Sequence, residues 1–133
     1  MRTKIGAMLG VVMAILATPV FAHHTISWYY DVDKLVTLKG SVTEIDWVNP
    51  HILFHLDVAK PDGSVVNWTV ETRAAYIMKR RGFAQDFAKP GDAVSMAVFV
   101  SKDGAPKAAM QSITLSSTGA TETVSMLPNG LLR

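Results

Sequence analysis

The chain has 133 residues, 49% of them hydrophobic and 18% charged, with no cysteine. Its 13 Lys and Arg face 11 Asp and Glu, and setting aside Arg2 and Lys4 leaves 11 against 11. That neutrality argues against a general nucleic-acid binder, which carries a basic excess. Without cysteines there are no disulfide staples and no lipid-bearing cysteine, so a hydrophobic core has to hold the fold.

Residues 1–22 read as a cleaved export signal. Arg2 and Lys4 form a short basic start, Ile5 to Ala17 is an apolar run, and Val20-Phe21-Ala22 supplies the small residues of a cleavage site. Thr18-Pro19 interrupts the run before the ~20 residues a membrane span requires. The expected product starts at His23, has no membrane span and resides in the periplasm. One domain over 23–115 and a C-terminal tail over 116–133 are the expected divisions.

In chain order, Val36, Leu38, Gly40 and Val42 alternate with polar residues, which predicts a half-buried strand over Val36–Asp46. Gly40 inside it suggests a bend or bulge. Trp47-Val48-Asn49-Pro50-His51 is a corner, since proline fixes its own φ and pushes the preceding residue out of the helical region. Ile52–Ala59 alternates again, with Ile52, Phe54, Leu56 and Val58 on one face and His51, Leu53, His55 and Asp57 on the other. Lys60-Pro61-Asp62-Gly63 is a turn, followed by a third strand over Val65–Glu71.

Thr72 suits a helix N-cap, Arg73–Arg81 a helix and Gly82 its stop. Lys89-Pro90-Gly91-Asp92 is a second turn, before strands over Ala93–Val100 and Ala108–Leu115. Three strands, a short helix and two strands is the order of an all-β, five-stranded OB-like barrel, with a small β-sandwich as the alternative. Its expected core contains Val42, Phe54, Leu56, Trp68, Val70 and Val98.

Five motifs in order give the chain a family resemblance. These are Ala22-His23-His24, Leu38-Lys39-Gly40-Ser41-Val42, Trp47 to His51, Arg80-Arg81-Gly82-Phe83 and Lys89-Pro90-Gly91-Asp92-Ala93-Val94. The chain resembles a family of small exported bacterial proteins that carry a domain of unknown function, over most of His23 to Leu115. The resemblance implies a periplasmic β-rich protein and brings no established activity.

All four histidines fall between His23 and His55. A free amine at His23 beside its own imidazole would chelate one metal ion, with His24 adjacent and His51 able to swing in from the corner. Copper, with zinc as the alternative, suits such nitrogen ligands. His51 and His55 share a strand face but lie ~13 Å apart at ~3.3 Å per residue, so His55 is expected outside that shell. Met96 and Met110, on consecutive strands, are weaker candidates as soft ligands.

Trp28, Trp47 and Asn49 are the candidates for contacting a protein, peptide or small ligand. The strand carboxylates Glu44, Asp46, Asp57 and Glu71 show no paired spacing, and no nucleophile motif is present. The expectation is a non-enzymatic periplasmic binding protein for copper, or a metal-free OB-type adaptor.

Overall fold

A computed structural model describes residues 26–127. The expected export signal and the candidate ligands His23 and His24 lie outside them. The elements are α1 (Ile26–Tyr29), β1 (Tyr30–Asp46), β2 (Leu53–Ala59), β3 (Val65–Glu71), α2 (Ala75–Arg80), β4 (Ala93–Ser101), β5 (Lys107–Leu115) and β6 (Thr121–Thr123). The strands follow the order β3-β2-β1-β4-β5-β6, and a parallel pairing of β3 with β5 closes the first five into a barrel. With α2 between β3 and β4, this is the expected OB-like arrangement.

Alternation builds the core. Leu38 and Val42 of β1, Phe54 and Leu56 of β2, Val70 of β3, Met96 and Val98 of β4, and Met110 and Ile113 of β5 are buried in one cluster. Removing such a side chain from water contributes roughly 1.5–3 kcal/mol. Met96 and Met110 are thus core side chains with no exposed surface. Trp68 is partly buried against the same cluster.

β1 is long, at 17 residues, because it serves both halves of the barrel: Ser41 pairs with Asp57 of β2 and with Ala93 of β4. Gly40 stands at this junction, where a Cβ would fall on the carbonyl oxygen of Asp57. Close backbone approach, not a turn, is what requires glycine there.

Several of these sequence motifs fasten to one another in the fold. The Lys89–Asp92 turn clamps Val42 of β1, the Gly91 amide donating to the Val42 carbonyl at 2.8 Å and the Val42 amide to the Asp92 carbonyl at 2.9 Å. The Trp47 ring packs on Phe83 with centroids 6.4 Å apart, and Phe83 on Phe87 at 5.4 Å. Gly82, at φ 84°, ends α2. The Phe83 amide donates to the Met78 carbonyl and that of Gly82 to Lys79, a left-handed cap with its apolar pair, Met78 and Phe83, buried.

Two expectations need correction. Thr72 does not cap α2, whose N-cap is Ala74 with no side-chain bond. Thr72 is fully buried and its amide donates to Ile52, while the Ile52 amide donates to Arg73. The β2–β3 ladder therefore runs on past both strands and claims the residue. The segment after Leu115 is also more than a tail: β6 pairs with β5, and Val124 joins the main core. Its Thr-Glu-Thr sequence has no apolar alternation to announce a strand.

The corner from Trp47 to Ile52 holds a cis Asn49–Pro50 bond. On the outer side of β4 and β5 a second cluster of Tyr30, Phe99, Ala109 and Leu127 gathers Ile26, Val32 and Met126. No helix among the described residues is long and apolar enough to cross a membrane.

Candidate functional site

The site begins with a slip in β1. Val42 pairs with Leu56 and Glu44 with His55, so Thr43 is one residue too many in β1. Such a bulge changes which way the following side chains point. From Val36 to Val42 the even-numbered residues face inward; beyond Val42, Ile45 and Trp47 pack on the core. Glu44 and Asp46 then stand on the outside with His55. Asn67 and Thr43 hold the bulge: the Thr43 hydroxyl donates to the His55 carbonyl at 3.2 Å, and the Asn67 amide donates to Thr43 at 3.3 Å and to Asp57 at 2.8 Å.

Glu44, Asp46 and His55 each offer one ligand atom, and the three lie within 4.8 Å of one another. Ligands about 2.1 Å from a shared ion sit roughly 3–4 Å apart, so a small side-chain rotation closes the set. His55 Nε2 is 3.1 Å from Asp46 Oδ2, and its Nδ1 is 3.3 Å from the Thr69 hydroxyl. An ionised carboxylate only accepts, so neutral His55 carries its proton on Nε2 and accepts from Thr69. Were a metal held on Nε2, the proton would sit on Nδ1 and the Thr69 hydroxyl would accept instead. Thr69 serves both tautomers, as partners beyond the ligands do in metal sites.

His51 is placed differently. Its Nδ1 donates to the Thr72 carbonyl at 2.7 Å, so in the neutral ring it is Nε2 that has a lone pair to offer. Of the expected ligand-contacting residues, Trp47 is turned to Phe83, Asn49 sits in the corner, and Trp28 is 78% exposed on α1.

Beside the corner, Arg73 reaches the C-terminal segment, its Nε donating to the Ser125 carbonyl at 2.6 Å and Nη2 to Leu127 at 3.0 Å. Arg81 donates to Val124 at 3.1 Å. Burial, and then the nearby charge of Arg81, lower the Arg73 guanidinium from its usual value. Where β3 ends, burial raises the Tyr30 phenol well above the ordinary tyrosine value, helped by the charge and hydrogen bond of Glu71.

The carboxylate–imidazole group was hidden because the alternation of β1 carries Glu44 and Asp46 inward unless a bulge intervenes. One signal was available: Ile45 and Trp47 are apolar at the wrong parity for a strand whose inner face is Val36, Leu38 and Val42.

A family of unknown function (DUF6152) matches residues 11–110, and the chain belongs to that family. Neither the curated proteins nor the solved structures include a match to the chain.

Proposed function

We propose that this protein is an exported binding module that holds a divalent metal ion with Glu44, Asp46 and His55. The observation that carries the reading is the convergence of three donor atoms within 4.8 Å, aimed by a bulge at Thr43. One imidazole with two carboxylates suits both zinc and copper, and Cu(II) binds such a nitrogen–oxygen set the more tightly. Calorimetric titration of the full chain with Zn(II) and Cu(II) tests it. His55→Ala should weaken zinc by at least about a hundredfold, since losing a ligand costs no less than the ~10–100-fold of losing a partner behind one. Affinity should also fall as pH is lowered, because protons compete for the imidazole and both carboxylates. Equal zinc affinity in wild type and His55→Ala would exclude the site.

A second reading places copper on the amine and ring of His23, with His24 and His51 as partners. Its support is the free Nε2 of His51, since ligating histidines commonly donate their other nitrogen to a carbonyl. Adding one residue before His23 should abolish tight Cu(II) binding on this reading and leave zinc unchanged on the first.

A further inference from the structure

A groove of about 410 Å3 opens at the end of the barrel where the β2–β3 turn and the β4–β5 loop meet. Its floor is Leu38, Val58, Val66 and Trp68, and its walls are the prolines of the two loops, Pro61 and Pro106. Leu38, Val58 and Trp68 also belong to the main core cluster, so the groove is a place where the barrel interior reaches the surface. Barrel mouths of this size, apolar with few polar groups, are where such folds take small molecules.

Lys60 is the only charged residue among those lining the groove. Asp62, two residues away, is ionised but turned to its own loop: its Oδ1 accepts from the Ser64 amide at 2.9 Å and from the Ser64 hydroxyl at 2.6 Å, bonds that lower its pKa. Among the described residues Lys60 makes no ion pair. An apolar trough with one unpaired cation on its rim is complementary to one kind of molecule: an apolar body ending in a negative group.

We propose that the barrel mouth binds a free amphiphilic carboxylate, its hydrocarbon part on Trp68, Leu38 and Val58 and its carboxylate at the Lys60 ammonium. The site lies apart from Glu44, Asp46 and His55 and shares no residue with them, so it stands or falls independently of the metal reading.

The full chain is titrated with decanoate, below its micelle concentration, by calorimetry and by amide chemical shifts. Decyltrimethylammonium is the matched cationic control. Saturable one-to-one binding of decanoate, with shifts centred on Val58, Val66 and Gly104, is expected. Lys60→Glu, an exposed change that leaves the core intact, should weaken decanoate about fivefold, the scale of one exposed charge pair, and strengthen the cation. Trp68→Leu should weaken both amphiphiles while the unliganded spectrum stays folded. No saturable binding, shifts centred on exposed Trp28 and Tyr29, or equal affinity for both head groups would overturn the proposal. Binding confined to vesicles containing phosphatidylglycerol, with none to free decanoate, would also overturn it.

Discussion

His51 and His55 stand four residues apart on one side of the same stretch of chain, and the molecule uses them in opposite ways. At the corner, His51 completes a backbone: its Nδ1 closes on the Thr72 carbonyl at 2.7 Å, beside a ladder in which Ile52 exchanges bonds with Thr72 and Arg73. On the strand, His55 meets only side chains, a carboxylate and a hydroxyl. A ring bonded to main chain has its orientation set by the fold. A ring bonded to side chains keeps partners that can rotate, which is what a site that gains and loses an ion needs. Spacing and residue type alone do not separate the two; the partners do.

The largest effect should erase the contrast. Phe54 lies between the two histidines, fully buried, and Phe54→Ala should cost about 3–5 kcal/mol because the cavity fills only partly. A urea melt reads it, and a loss below about 1 kcal/mol would mean that the inner face of β2 is assigned the wrong way round. His51→Ala sharpens the contrast. It should cost about 1–2 kcal/mol, since the Thr72 carbonyl loses its partner, yet leave zinc affinity unchanged within twofold. A large loss of zinc with His51→Ala would merge the two regions into one site.

The smallest effect is a pH dependence next to the corner. The Tyr30 phenol is raised by burial and by Glu71, the residue before Thr72. A folded-state value above the unfolded one, near 10 for tyrosine, means that this contribution is complete below pH 10. It is lost as pH rises beyond that, because the unfolded chain releases its proton first. Tyr30→Phe should therefore flatten the decline in stability between pH 10 and pH 11, while an unchanged slope would place the decline in other groups.

The barrel was legible because its strands announce themselves. β3 spans Val65–Glu71 as the alternation predicts, and Val42, Phe54, Leu56, Val70 and Val98 are all buried. The strand ends were harder. β1 begins at Tyr30 instead of Val36, since Asp31, Asp33 and Lys34 interrupt the pattern while β4 still pairs with that stretch at Tyr30 and Leu35. Thr72 offered a cap by its type and was taken by a ladder, a tertiary demand that local sequence does not display. The group of Glu44, Asp46 and His55 was invisible for a stricter reason: one extra residue reverses the parity of everything after it, and composition is blind to parity.

The second cluster links parts of the chain that are far apart in sequence. Ile26 and Met126 pack against the same cluster of Tyr30, Phe99, Ala109 and Leu127, so both limits of the described chain rest on one patch of the barrel wall. A short linker there would make the chain a loop, and the loop could be reopened at the exposed Lys60–Ser64 turn without dividing any strand. Such a permuted protein would keep Glu44, Asp46 and His55 in place while cutting the rim of the barrel mouth at Lys60. The two proposed binding places would then be separated by chain connectivity alone, with all their own side chains retained.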